Sequence, residues 1–150
     1  MRCLAFIFST LAIGFGALAD AGPAQADVVI SISKSTQRMT VLVDGSQRYV
    51  WAVSTGLDGG PPDGSYRPER LERTWHSSKY DWSPMPHSIF FHHGFAIHGT
   101  NYVSRLGRPA SHGCVRLHPS HAAALFALVQ QHGKNRTRIV VSETSRYAHR

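Results

Sequence analysis

The chain has 150 residues, and its 16 lysines and arginines against 9 aspartates and glutamates give a formal net charge of +7. This length favours one domain with a modest core rather than several domains. The positive charge favours an anionic partner, although a contribution to solubility alone would account for it equally well.

The first 26 residues have the layout of a secretory signal peptide. Arg2 supplies a positive charge, residues 4–18 are almost entirely apolar, and the Ala-Gln-Ala tripeptide at 24–26 offers small residues for cleavage. Cleavage there would leave residues 27–150 as one domain, exported to the periplasm or cell wall. This domain has no further apolar stretch long enough to span a membrane. Export argues against nucleic acid as the partner of the basic charge and favours the acidic cell wall or a membrane surface.

Runs of β-branched and aromatic residues predict strands along the exported domain. These runs cover residues 28–32, 39–43, 49–53, 88–91, 95–98 and 138–142. The Asp44-Gly45 pair between the second and third runs is typical of a hairpin turn. Ser54-Thr55-Gly56 ends the third run. Residues 57–68 are rich in Gly, Pro and Asp and are predicted to form a loop.

One helix is predicted after the last motif of the chain. Pro119 suits its first turn, and Gly133 suits the position just past its end. The apolar residues that follow helical spacing are Ala122, Leu125, Phe126 and Val129. The elements together predict a mostly β domain with one principal helix, a fold class that does not by itself give a function.

Cys114 would be the only cysteine of the exported domain, because Cys3 lies in the signal peptide. It cannot form an intramolecular disulfide, so it is either a reactive thiol or a buried, inert one. A thiol needs a base to become nucleophilic, and His98 or His112 could accept its proton to give a thiolate–imidazolium pair. His98 is favoured as the base because it ends a predicted strand and is remote in sequence.

The neighbours of Cys114 suit acyl-transfer chemistry. Gly113 allows a tight turn and the close approach of a substrate carbonyl, whose oxyanion backbone N–H groups could stabilise. Arg116 could bind a substrate carboxylate through two parallel hydrogen bonds, or it could brace the loop.

Two motifs resemble the signature of the L,D-transpeptidase catalytic domain, or YkuD-type, family. They are His98-Gly99-Thr100 and, after a spacer, the heptapeptide Ser-His-Gly-Cys-Val-Arg-Leu at 111–117. Three further stretches resemble family motifs: Ser54-Thr55-Gly56, Gly64-Ser65-Tyr66 and Met85-Pro86. The likeness therefore extends over nearly all of residues 27–150 and implies the β-sandwich of that family.

The resemblance implies a role for each matching residue. Cys114 would be the nucleophile, and His98 would be the general base, oriented by the carbonyl of Gly99. The backbone N–H groups around His112, Gly113 and Cys114 would form the oxyanion hole. The residues expected to contact substrate are Arg116, Ser111, Met85 and His87.

The implied substrate is a peptidoglycan stem peptide, cleaved after an L-centred diamino acid with loss of the terminal D-residue. The thioester would be resolved by the amine of a second stem, which gives a 3→3 cross-link. Water in place of the amine would make the protein an L,D-carboxypeptidase. No cofactor, metal or nucleic acid is expected to take part, and a monomer is expected.

Two other functions compete with this interpretation. A zinc hydrolase could draw its ligands from six histidines, although their spacing is not typical of zinc sites. These are His92, His93, His98, His112, His118 and His121. A non-catalytic wall-binding protein would suit the basic charge but would leave the Ser-His-Gly-Cys motif unexplained. The chain also departs from the family pattern, with Pro61-Pro62-Asp63-Gly64 in place of Thr-Pro-Thr-Gly and with His87 after Met-Pro, which bears on substrate preference.

Overall fold

The computed structural model describes residues 26–144, and the predicted signal peptide falls almost wholly outside them. Within the described part the chain forms eleven strands and one α-helix, α1 (Pro119–His132). The strands are β1 (Val28–Ser33), β2 (Arg38–Val43), β3 (Ser46–Ala52), β4 (Gly64–Tyr66), β5 (Arg70–Glu72), β6 (His76–Ser77), β7 (Ser83–Pro84), β8 (Ser88–His92), β9 (Phe95–Gly99), β10 (Val115–Leu117) and β11 (Thr137–Ser142). Short 3-10 turns lie at Val103–Arg105 and Lys134–Arg136.

Two sheets make up the body of the domain. The first has five strands in the order β3-β2-β1-β11-β4, and β1 and β11 run parallel at its centre. The second has four strands in the order β10-β9-β8-β5, and β9 and β10 run parallel at its edge. Strands β6 and β7 form a separate two-stranded hairpin.

One hydrophobic core joins both sheets and the helix. All six residues of β1 are buried, which explains why this strand is a continuous run of apolar residues and serine. Ile30 and Ile139 from the first sheet and Phe91 and Ile97 from the second belong to the same buried cluster. The two sheets are therefore packed face to face, as the predicted β-sandwich requires.

The helix turns its predicted apolar stripe into this core. Its buried residues are Ala122, Leu125, Phe126 and Val129. Pro119 occupies the first helical turn, and Gly133 follows the last residue with a φ of 89°. The backbone N–H of Ser120 donates to the ring of His118, which satisfies one of the free donors at the helix start.

The long apolar runs predicted the main strands, whereas the shortest strands were missed. The hairpin is confirmed, since Asp44 and Gly45 both have positive φ between β2 and β3. The predicted loop at 57–68 contains strand β4, which pairs with residues 139–141 of β11. Strands β5, β6, β7 and β10 were likewise not predicted, because two or three residues carry too little periodicity. In the described part, no helix is both long and apolar enough to cross a membrane.

The buried stripe of α1 gives a stability prediction. Leu125 is fully buried, so Leu125→Ala should lower the free energy of unfolding by about 2–5 kcal/mol through lost burial and a residual cavity. Gln130→Ala, at an exposed position of the same helix, should change it little. Urea unfolding followed by circular dichroism measures both, and equal losses in the two variants would contradict this packing.

Candidate active site

Strands β9 and β10 bring the motif residues to one face of the second sheet. In the parallel register Ile97 lies opposite Val115, and His98 lies opposite Arg116. Ile97 and Val115 are in the core, so the alternating residues turn to the other face. His98, Arg116 and Cys114, which directly precedes β10, line one cleft of about 430 Å³.

The ring of His98 is held by the backbone of the next residue. Its Nδ1 lies 2.7 Å from the carbonyl oxygen of Gly99, and the side chain is buried. A carbonyl can only accept a hydrogen bond, so Nδ1 carries the proton in the neutral ring. The lone pair therefore sits on Nε2, which is the atom left to accept a proton.

Burial keeps the imidazole and the thiol uncharged. Removal from water lowers the pKa of His98 to about 4; the hydrogen bond to Gly99 opposes this shift, and the nearby positive charge of Arg116 adds to it. Burial likewise raises the pKa of Cys114, against a backbone hydrogen bond from Ala96 and the charges of Arg116 and Lys79. Both shifts disfavour the charged forms of the two groups and therefore disfavour the thiolate–imidazolium pair in the free site.

The hydroxyl of Ser111 fixes the turn that precedes the thiol. Its Oγ accepts a hydrogen bond from the N–H of Gly113 at 3.0 Å and donates to the carbonyl oxygen of Cys114 at 2.6 Å. The backbone of Ser111 is also held, since its N–H donates to Thr55 and its carbonyl accepts from Leu57, each at 3.0 Å. Ser111 therefore fixes the backbone conformation on both sides of Cys114.

The segment after β3 supports the same turn from the other side. Backbone hydrogen bonds of 2.8 and 3.1 Å join Ser54 to Arg116 in both directions. The side chain of Gln37 is buried and holds Thr55 through two hydrogen bonds, 2.6 Å to its Oγ1 and 2.9 Å from its N–H. The Ser54-Thr55-Gly56 motif thus forms a strap, hydrogen-bonded beside the turn at residues 111–114.

Gly113 occupies a position where no side chain fits. Its φ is +130°, and a Cβ there would lie 2.7 Å from the ring of Phe95. A Cβ on Gly56 would lie 2.8 Å from the Cα of Gly113, so the two backbones are in direct contact. The N–H of Gly113 is already bonded to Ser111, which leaves the N–H groups of His112 and Cys114 as the candidates for an oxyanion hole.

His112 presents its ring to the β6–β7 hairpin. The ring is exposed at the edge of the cleft and stacks on Tyr80, with centroids 4.5 Å apart and planes 11° apart. Tyr80 lies between β6 and β7, so this stack joins the hairpin to the turn at residues 111–114.

The Met-Pro-His segment contains two residues that were expected to contact substrate, and the structure places only one of them in the cleft. Met85 lines the cleft. His87 does not, because a φ of +55° after Pro86 turns its side chain toward the helix. There its ring lies 5.5 Å from that of Phe126 in an edge-on arrangement. His87 thus lies away from the cleft that Cys114 and Met85 line, and its contact with substrate stays a prediction.

The cleft also contains residues that the sequence analysis did not single out. Tyr102 and Arg105 come from the spacer between His98 and Ser111, which shows only turn-forming composition. Tyr80 and Ser83 come from the hairpin, whose strands are two residues long. Within that otherwise turn-forming spacer, an aromatic and a charged residue between the two family motifs are the signal that could have drawn attention to the first pair. Among residues 26–144, no three His, Cys, Asp or Glu side chains are grouped as a metal site would require.

Known proteins resemble this chain in sequence or in fold. YqjB of Bacillus subtilis (strain 168), whose name assigns it provisionally to the L,D-transpeptidases, is 25% identical over 138 residues, covering 83% of this chain and 76% of YqjB. An L,D-transpeptidase from Mycobacterium smegmatis superposes with a TM-score of 0.68 at 22% identity, covering 78% of this chain and 59% of that one. The L,D-transpeptidase LdtMt1, solved in complex with imipenem, gives a TM-score of 0.68 at 24% identity, covering 77% and 59%.

The chain spans about three fifths of the length of these two solved structures. At this identity the structural likeness shows the fold. The model of the L,D-transpeptidase catalytic domain (YkuD) matches residues 27–141, which is most of the sequence. The chain therefore belongs to the L,D-transpeptidase catalytic domain family.

Proposed function

We propose that this protein is an L,D-transpeptidase that acts on peptidoglycan stem peptides through a thioester on Cys114. The observation that carries the proposal is the common cleft of Cys114 and His98, which neighbouring parallel strands supply. The hydrogen bond from Nδ1 of His98 to Gly99 leaves Nε2 as the base. The proposal places the protein outside the cytoplasm, in the periplasm or cell wall, where its substrate lies.

In the first half-reaction the sulfur of Cys114 attacks the amide carbonyl that follows the L-centre of the diamino acid. Nε2 of His98 takes the thiol proton as the carbon–sulfur bond forms, because the site starts from uncharged partners. The N–H groups of His112 and Cys114 would stabilise the oxyanion. Collapse of the intermediate breaks the carbon–nitrogen bond, and the proton on His98 passes to the departing amine of the D-residue.

In the second half-reaction an amine from another stem attacks the thioester. His98 accepts a proton from this amine and returns it to the sulfur, so the thiol is regenerated and a 3→3 cross-link is formed. If water attacks instead, the product is a shortened stem and the activity is that of an L,D-carboxypeptidase. Both outcomes use the same acyl-enzyme, and the choice depends on which acceptor the cleft admits.

The first test follows the products of the reaction. Incubation with a synthetic stem tetrapeptide should release the terminal D-residue and give a cross-linked dimer, with tripeptide as the product of competing hydrolysis. Mass spectrometry distinguishes the two products, and an acyl-enzyme should be seen on the intact protein. A folded Cys114→Ser variant should form none of these species, and turnover by that variant would remove Cys114 from the mechanism.

The second test separates His98 from His112. Loss of a positioned base typically costs about 10²–10⁴ in rate, so His98→Ala should slow the acylation of Cys114 by that factor. His112→Ala should slow acylation less, since the variant keeps its backbone N–H. Imipenem, the ligand of the LdtMt1 complex, is a suitable acylating probe, and intact-protein mass gives the rate.

His98 is buried, so the more conservative His98→Gln should be measured beside His98→Ala, and thermal melting should show that both are folded. A larger loss for His112→Ala than for the two His98 variants would exchange the roles of the two histidines.

The third test uses the depressed pKa of His98. Only a neutral imidazole can accept the thiol proton, so acylation should be retained as the pH falls below 6.5 and should be lost only around pH 4. The measurement is the imipenem acylation rate against pH, in pulses short enough to limit decay of the reagent. His112→Asn should keep the same acidic limb. A limb near 6.5, the ordinary pKa of histidine, would show that His98 is solvated or is not the base.

A further inference from the structure

The cleft beside Cys114 is lined by two arginines and by no acidic residue. Arg105 and Arg116 both lie in its wall, and no Asp or Glu occurs among the described residues that line it. Neither arginine forms an ion pair with any residue in the range 26–144. A cleft lined by positive charges alone attracts an anion.

Arg116 is only partly satisfied by the protein. Its Nη1 donates to the carbonyl oxygen of Ala110 at 3.0 Å, and its guanidinium lies 5.8 Å from the centre of the Tyr102 ring. One protein acceptor leaves most of the five guanidinium N–H donors for another partner. Burial lowers the pKa of Arg116; the neighbouring Cys114 and Tyr102 oppose this shift, and the positive charge of Arg105 makes a smaller contribution that lowers the pKa.

Arg105 lies on a loop that hydrogen bonds attach to the segment after β3. It ends the 3-10 turn Val103–Arg105, and two residues later the N–H of Gly107 donates to Val53 at 2.8 Å. The hydroxyl of Ser54 then donates to the carbonyl of Arg108 at 2.7 Å. These bonds attach the loop to the strap beside the nucleophile, so the position of Arg105 at the cleft is set by the same segment that holds Cys114.

We propose that Arg105 and Arg116 together bind a carboxylate of the stem peptide and so select substrates in which that group is a free acid rather than its neutral amide. This inference rests on the proposed function, and it adds Arg105 to the residue already expected to contact substrate. A guanidinium matches a carboxylate through two parallel hydrogen bonds, and a carboxylate between two guanidinium groups offsets the repulsion of their like charges. An amide brings no negative charge and cannot play this part.

The loop provides a matched control. Arg108 is exposed on the same loop and does not line the cleft, so Arg108→Met removes one positive charge without touching the pair. Arg105→Met should raise KM for the free-acid tetrapeptide about tenfold or more, the usual effect of a lost charge-assisted hydrogen bond, while kcat changes little. Arg108→Met should leave KM unchanged, and Arg105→Lys should recover part of the loss.

The carboxylate is identified with a set of tetrapeptides, each amidated at one of its carboxylates in turn. For the recognised group, amidation should raise KM in the wild-type protein by at least the factor that Arg105→Met does. In the Arg105→Met variant amidation should raise KM by a smaller factor, because only the contact with Arg116 is left to lose. Amidation elsewhere should be additive with Arg105→Met. The peptide that shows the non-additive effect thus tells whether the group is the terminal carboxylate or one inside the stem.

Binding to a Cys114→Ala background separates this inference from the proposed function. Calorimetry on Cys114→Ala protein, with and without Arg105→Met, measures the affinity for the free-acid and the amidated peptides when no chemical step can follow. A protein that binds the free-acid peptide through Arg105 but never turns it over would support the subsite and reject the transpeptidase. Additive effects for every peptide, absence of binding, or equal behaviour of Arg105→Met and Arg108→Met would overturn the subsite.

Discussion

Strands β9 and β10 run parallel with His98 opposite Arg116, and this register decides which side chains share the cleft. The register is held by the core, since Ile97 and Val115 are buried side by side on the opposite face. A shift of one residue would turn the apolar side chains into the cleft and the polar ones into the core. The placement of the thiol and the imidazole is therefore a consequence of hydrophobic packing rather than of attraction between the two reacting groups.

The same packing sets the electrostatics. A base held against a hydrophobic core loses water, so the pKa of His98 falls and that of Cys114 rises. Neither change favours a preformed ion pair, so the proposed reaction starts from an uncharged thiol and imidazole. The positive charges that favour the anionic form of the sulfur are those of Arg116 and Lys79.

Sequence patterns predicted those parts of the fold that local periodicity determines. In α1 and the long strands, the spacing of apolar residues in the sequence matches the spacing of the buried positions. The hairpin at Asp44 is predicted by the preference of Asp-Gly for turns. Strands such as β4 and β10 exist because a partner strand is present, which no window of the sequence contains. The resemblance singled out Cys114 and His98, which the structure brings into one cleft, whereas His87, with its positive φ, lies away from that cleft. Arg105 was missed because only the tertiary bonds of its loop bring it to the cleft.

The packing of Gly113 against Phe95 and Gly56 leaves no room for a side chain in the turn that precedes Cys114. The rim is built differently, from an exposed hairpin that carries Tyr80 and from a loop that carries Tyr102 and Arg105. Substitutions at the rim change what enters the cleft while the tightly packed turn keeps the sulfur in place. Mutations in the outer loops can thus change the substrate preference of such an enzyme, because they leave the packing around the thiol unchanged.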